Sequence, residues 1–224
     1  MQIGSESARP ELTGGDEGMV YVVDDDAGVR KAIASLMRSV DLKVETFASA
    51  QDFLAYARPP VPACLVLDVR LRGVNGLAFH RDIISEGIRL PVVFITGHGD
   101  IEMSVKAMKD GATDFLAKPF RDQDILDAVS QALTKDRARL ASEASHRTVR
   151  LLYDSLSMRE KEVLAYVMTG LLNKQIAARM GLSEITVKVH RGQVMRKMMA
   201  RSLPDLVRKA ESIGVTVPIS LPPT

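Results

Sequence analysis

Five short apolar runs recur between Met19 and Lys118: MVYVV, KVETF, ACLVLD, PVVFIT and DFLAK, separated by stretches patterned for helices. This alternation constrains the fold more than any other feature of the chain. Apolar residues at consecutive positions, such as Leu65, Val66 and Leu67, suit a strand buried on both faces, as in a parallel sheet covered by helices on each side. Val29, Ile33, Leu36 and Val40 recur at helical spacing after the first run, and Ile101, Val105 and Met108 do so after the fourth. Both stretches are predicted to be helices packing on the sheet. A further helical pattern, Ile125, Leu126, Val129 and Leu133, follows Pro119. The expected architecture over residues 19–133 is α/β, a doubly wound five-stranded parallel sheet.

Residues 1–18 mix Gly, Ser, Glu and Pro without periodicity and are expected to form a tail, whereas 134–155 is charged and reads as a helical linker. From Leu156 to 213 every pattern is helical, which predicts a second, all-α domain of four helices; Pro-rich 214–224 reads as another tail. The net charge of +2 hides an asymmetry: residues 1–133 hold 14 Lys+Arg against 20 Asp+Glu, and the remainder 16 against 8. An acidic part can hold a cation; a basic part suits a polyanion such as nucleic acid. A hydrophobic fraction of 46% argues against global disorder. No apolar run approaches the roughly 20 residues of a membrane span, the start carries no secretory pattern, and the single Cys64 excludes an internal disulfide or cysteine zinc site. The cytoplasm is the expected compartment, with no membrane partner.

In an open parallel sheet, ligands collect beyond the carboxyl ends of the strands. Here those ends carry Asp24, Asp25 and Asp26, then Asp68, Thr96 and Lys118. Carboxylates converging at one edge repel one another, a cost that bound Mg²⁺ offsets, and a hydroxyl with a lysine supplies donors for a phosphoryl group on one carboxylate. Asp68 is the best-placed nucleophile. With VVDDDAGVR, LVLDVRLRGVNG, FITGHGD and FLAKPF in this order, residues 19 to about 140 resemble the receiver domain of two-component response regulators, a flavodoxin-like fold. That resemblance implies that Asp68 accepts phosphate from a sensor histidine kinase. It also implies that Asp25, Asp68 and the Arg70 carbonyl hold Mg²⁺ with Asp24 assisting through water, that Thr96 and Lys118 bind phosphoryl oxygens, and that Phe115 turns inward as Thr96 moves. Asp26 is expected to cap the first helix. The face carrying Ile101, Val105 and Met108 becomes a dimer interface by the same analogy; Val105 and Met108 are equally explicable as core. Arg72 stands where the family usually has proline, implying a looser loop. Arg70 and His98, two residues beyond Asp68 and Thr96, either set the lifetime of the phosphoryl group or are solvated loop residues.

In the basic part, Ser157 and Glu160 form a capping-box pattern, Asn173 is expected to cap the next helix, Gly181–Leu182 breaks it, and Ser183 caps a longer one. This is a helix-turn-helix pattern. On the longer helix Val187, Val194 and Met198 face inward, while Ile185, Lys188, Val189, Gly192 and Arg196 face out. Lys188 and Arg196 suit guanine edges or phosphates and Val189 a thymine methyl. Gly192 would let the helix approach the groove closely. Lys174, His190, Arg191 and Lys197 flank that face and suit phosphates, with Ser183 and Thr186 completing the DNA-contacting set. A solvated basic face is the alternative. The segment from Ser157 to Met198 is similar to the LuxR-type DNA-binding domain, and its pairing with a receiver resembles the FixJ and NarL group, closest to the FixJ branch. The resemblance implies a transcription regulator, not an enzyme beyond phosphoryl acceptance and slow self-dephosphorylation. It would dimerise on phosphorylation, bind double-stranded DNA and meet RNA polymerase. Two other readings stay open: a phosphorylation-independent dimeric DNA-binding regulator, and an aspartate-nucleophile phosphohydrolase.

Overall fold

The structure is a computed structural model that describes residues 18–97 and 101–215, the side chains of 101–103 excepted. Two compact units divide at Leu140/Ala141.

The first unit follows the alternation of the sequence. Strands β1 (Met19–Val23), β2 (Lys43–Phe47), β3 (Ala63–Asp68), β6 (Val92–Thr96) and β7 (Asp114–Ala117) form one parallel sheet in the order β2-β1-β3-β6-β7. β4 (Arg70–Leu71) and β5 (Val74–Asn75) make a small antiparallel hairpin after β3. The two-residue period of the strands sorts the core. Tyr21, Val23, Leu65, Leu67 and Phe94 pack beneath α2 (Ala50–Ala55), α3 (Gly76–Ser85) and α4 (Ile101–Lys109). Val20, Val22, Val66, Val93 and Ile95 pack beneath α1 (Ala27–Arg38) and α5 (Asp122–Asp154). Two apolar faces explain the unbroken apolar runs.

Helix α1 starts where Asp26 accepts the N–H groups of Gly28 and Val29, as expected. Its buried face is Ile33, Ala34 and Met37, with Val29 and Leu36 on the margin. On α4, Val105 and Met108, open between core and dimer face in the sequence, are 45% and 48% exposed; the small residue Ala107 is what faces the sheet. The first unit extends seven residues past 133, to Leu140. The reason is Asp136, wholly buried, whose Oδ2 accepts the N–H of Ala63 at 2.9 Å and whose Oδ1 accepts from Arg139 Nε at 2.7 Å. This ties α5 to the start of β3, and 134–140 are therefore receiver structure rather than free linker.

The second unit is helical: the end of α5, then α6 (Met158–Met168), α7 (Asn173–Met180), α8 (Glu184–Lys197) and α9 (Leu203–Ser212). Val163, Leu164, Ile176, Val187, Val194, Met198 and Leu206 form its core. The capping box of Ser157 and Glu160 is present. Asn173, however, is the first residue of α7 rather than its cap. The cap position is Leu172, whose N–H donates to Gln175 Oε1 at 2.9 Å.

Candidate functional site

Asp24 and Asp25 follow β1, Asp68 ends β3, Thr96 ends β6 and Lys118 follows β7, so the parallel order of the sheet carries all five to one edge. Asp24, Asp25 and Asp68 each offer a carboxylate oxygen within 4.8 Å of the others. Asp24 is fully buried; its Oδ1 accepts the N–H of Asp26 at 2.8 Å and its Oδ2 accepts from Lys118 Nζ at 2.7 Å. Lys118 Nζ also donates to Asp68 Oδ2 at 3.2 Å, and the N–H of Arg70 donates to Asp68 Oδ1 at 3.1 Å. Burial pushes the Asp24 carboxyl above the ordinary aspartate value, against the pull of Lys118. Burial alone would lower Lys118, yet its hydrogen bond to Asp24 and the charges of Asp24 and Asp68 prevail and hold the ammonium above its usual value. Lys118 is thus a fixed cation at neutral pH, ready to neutralise charge on Asp68.

Thr96 is buried, and its carbonyl accepts the N–H of Lys118 at 2.7 Å, which couples the two residues expected to meet phosphoryl oxygens. Phe115 is half-buried with its ring 6.5 Å from that of Phe94, packed against the core on the α4 side of the sheet. A pocket of about 700 Å³ opens over Asp25, Asp68, Arg70, Arg72 and Lys118. His98 and the side chain of Ile101 lie outside the described residues.

Three contacts were not foreseen from the sequence. Arg30 on α1 donates from Nη1 to the Asp24 carbonyl at 2.6 Å, fixing the backbone that presents the acidic pair. Its signal is a basic residue four positions, about one helical turn, after the capping Asp26. Gly76 opens α3 directly against Asp68: a Cβ there would lie 2.3 Å from the Asp68 carbonyl oxygen, so only glycine fits. Arg72 donates from Nε to Asp25 Oδ2 at 2.9 Å. The loop that carries it is a short hairpin. Arg70 and Leu71 pair with Asn75 and Val74 across a turn with Gly73 at φ 78, and Asn75 Oδ1 caps α3 through the N–H of Leu77.

The carboxylate cluster at this edge, Asp24, Asp25 and Asp68, is an all-oxygen donor set, which fits a hard divalent cation such as Mg²⁺.

In the second unit α7 and α8 meet through Gly181 in the left-handed conformation, φ 63, which a side chain disfavours. Ser183 Oγ accepts the N–H of Thr186 at 3.1 Å and lies 2.7 Å from its hydroxyl, so both residues serve the cap at the start of α8. Val187, Val194 and Met198 are buried, and Ile185, Lys188, Val189, Gly192 and Arg196 are exposed, as the periodicity predicts. Lys174 is exposed, and His190 is half-exposed. Arg191 donates from Nη1 to Asn173 Oδ1 at 3.0 Å, bracing α8 against α7. Arg196 is hydrogen-bonded to Gln193, a residue the sequence did not single out. Lys197 departs from expectation. Its Nζ is 2.7 Å from Glu160 Oε2, whose side chain is 7% exposed, because the last turn of α8 passes the capping box of α6. It is thus a partly exposed counter-ion to Glu160, a role the sequence did not foresee beside its place in the phosphate-contacting set.

Residues 20–130 match the family model of the response regulator receiver domain, and 154–210 that of bacterial regulatory proteins of the luxR family. The chain is 50% identical over 200 residues to nodulation protein W of Bradyrhizobium diazoefficiens, covering 89% of this chain and 88% of that protein. It is 42% identical over 205 residues to the transcriptional regulatory protein FixJ of Azorhizobium caulinodans, covering 92% and 97%. The solved structure of the response regulator StyR aligns with a TM-score of 0.77 at 44% identity, over 87% of this chain and 98% of that one. Both halves of the reading from sequence meet in these relatives. The chain belongs to the FixJ-like transcriptional response regulators, which join a receiver domain to a LuxR-type DNA-binding domain.

Proposed function

We propose that Asp68 accepts a phosphoryl group from the phosphohistidine of a sensor histidine kinase and that this modification promotes dimerisation and DNA binding. The observation that carries the reading is the Asp68 carboxylate, nearly buried, 3.2 Å from the ammonium of Lys118 and within 4.8 Å of two further carboxylates. A carboxylate oxygen of Asp68 attacks phosphorus in line as the P–N bond of the donor breaks, and the imidazole leaves with its electron pair. Lys118 neutralises charge on the transferred group, and Thr96 is the hydroxyl donor at the next strand end. Asp24, Asp25, Asp68 and the Arg70 carbonyl would hold Mg²⁺, which supplies further charge neutralisation when bound. The chain performs no other turnover in this reading beyond slow self-dephosphorylation.

Occupied Asp68 biases the packing of Thr96 and Phe115, and with them the α4 face, where Val105 and Met108 offer exposed apolar surface to a second copy. Helix α8 enters the major groove of double-stranded DNA with Lys188, Val189 and Arg196 towards the bases, while Lys174, His190, Arg191, Ser183 and Thr186 meet phosphates. RNA polymerase is a partner of the DNA-bound dimer, and the cytoplasm is the compartment; among the described residues no helix is long and apolar enough to cross a membrane.

The test is operator binding and intact-protein mass after incubation with acetyl phosphate and magnesium. The parent is expected to gain one phosphoryl group and bind DNA as a dimer; Asp68→Asn gains neither. Equal DNA binding by both proteins, with or without the donor, would favour the phosphorylation-independent regulator. Multiple turnover of a phosphate monoester would favour the hydrolase.

A further inference from the structure

The three carboxylates of the receiver edge are not equally engaged. Lys118 is shared by Asp24 and Asp68, whereas Asp25 meets a different cation, the guanidinium of Arg72, with Nε 2.9 Å from Oδ2. Asp25 is 26% exposed at its side chain and Arg72 is 90% exposed, so the pair lies on the solvent side of the cluster. The β4–β5 hairpin holds the residue there: its turn is anchored by Arg70–Asn75 and Leu71–Val74 pairing, and by Gly76 seated on the Asp68 backbone. Three carboxylates with two ion-paired cations leave the cluster with one uncompensated charge.

We propose that Arg72 is a built-in competitor of the divalent cation, a positioning residue that occupies Asp25 in the resting protein and must yield for Mg²⁺ to bind. The proposal rests on the reading of this edge as a metal-assisted phosphoryl site and deepens it by assigning what sets its cation affinity. A guanidinium and a hard divalent ion seek the same carboxylate lone pairs, and a guanidinium left in place repels the incoming ion even if Asp25 offers its other oxygen. Arg72 is almost fully solvated, so the pair is screened and its effect is modest: removing it should tighten Mg²⁺ binding about two- to five-fold, the reach of an exposed ion pair. Added salt should narrow the gap, because screening weakens the guanidinium's hold.

Isothermal titration of Mg²⁺ into the full chain tests this without any phosphoryl donor, with thermal melts in chelator to establish that each variant is folded. Arg72→Ala is expected to bind Mg²⁺ about two- to five-fold tighter than the parent at low salt, with Arg72→Lys between them. Arg81→Ala, which removes an exposed charge from α3, should match the parent. Unchanged or weaker binding by Arg72→Ala overturns the proposal, as does equal tightening in Arg81→Ala, which would make the effect one of net charge. Binding that is present but insensitive to position 72 sinks this inference alone. No Mg²⁺ binding by the parent or by Arg72→Ala sinks the metal site along with it.

Discussion

The receiver edge and helix α8 are both charged surfaces to which we assign a phosphate-bearing partner, yet they are assembled in opposite ways. At the receiver edge, Asp24, Asp68, Thr96 and Lys118 come from four strand ends spread over 95 positions, and they are held by internal bonds: Lys118 to two carboxylates, Arg30 to a carbonyl, Gly76 against the Asp68 backbone. On α8 the outward residues Ile185, Lys188, Val189, Gly192 and Arg196 share one helix and are exposed, with the core residues Val187, Val194 and Met198 beneath them. The first is a tertiary site, whose residues are also part of what keeps the domain folded. The second is a local one, whose residues are free to be chosen for the partner. Substitutions should therefore lower stability at the receiver edge and leave it intact on the face of α8.

The largest effect should come from Lys118→Met. It strips Asp24, fully buried, of its only ion-pair partner among the described residues. Removing one member of an enclosed pair costs about 3–5 kcal/mol; since Lys118 is 21% exposed, we expect about 2–3 kcal/mol. Urea unfolding followed by a receiver probe measures it, and a loss below about 0.5 kcal/mol would show that the edge is less integral to the fold than argued. Gly76→Ala comes next. A Cβ 2.3 Å from the Asp68 carbonyl oxygen and 2.9 Å from Val69 Cα forces the backbone apart, at about 1–3 kcal/mol by the scale of overpacking. It should also slow phosphoryl acceptance, since the nucleophile's own peptide is displaced. A stable variant labelled at the parental rate would break this link between packing and chemistry.

This difference also decides what could be read from the sequence. The five strands and the inward face of α8 were legible because burial imposes a period on consecutive residues, and Asp68, Asp24 and Thr96 followed because strand ends converge in a parallel sheet. Val105 and Met108 stayed open between core and dimer face because their period alone does not give the side: in α4 the sheet-facing position belongs to Ala107, and a small residue gives a weak apolar signal. Asn173 had the right chemistry one residue late; Leu172 holds the cap position and Gln175 supplies the bond. Lys197 and Arg72 could not have been placed from sequence, because their partners Glu160 and Asp25 lie 37 and 47 positions away and only the packed helices and hairpin bring them together. Local periodicity is written in neighbouring residues; ion pairing across a fold is not.

Gly192 sharpens the comparison from the other side. A Cβ built there meets nothing within 4 Å outside its own helix, so nothing in the domain requires glycine. Gly192→Ala should stabilise the DNA-binding unit by about 1 kcal/mol, the difference in helix propensity. If glycine serves close approach to DNA, operator affinity should fall despite that gain. Higher stability with undiminished affinity would remove Gly192 from the reading surface.

The smallest effect tests whether the second unit has a buried ion pair of the receiver kind. Glu160 accepts from Lys197 Nζ and from the N–H of Ser157, both at 2.7 Å, and the lysine first, then the capping bond, hold its carboxyl below the ordinary glutamate value. A depressed folded value means the carboxylate form favours the fold. Its contribution is complete above the ordinary glutamate value near 4.5 and is lost as the pH falls through the folded value below it. Because Lys197 is 35% exposed, solvent screens the pair and its contribution should be about 0.5 kcal/mol, several-fold below that of Lys118. Glu160→Gln should then flatten the acid limb of the unfolding profile of this unit while leaving its stability at neutral pH little changed. A loss at neutral pH as large as that of Lys118→Met would mean that the DNA-binding unit, too, depends on a tertiary charge network, and the contrast between the two sites would rest on exposure alone.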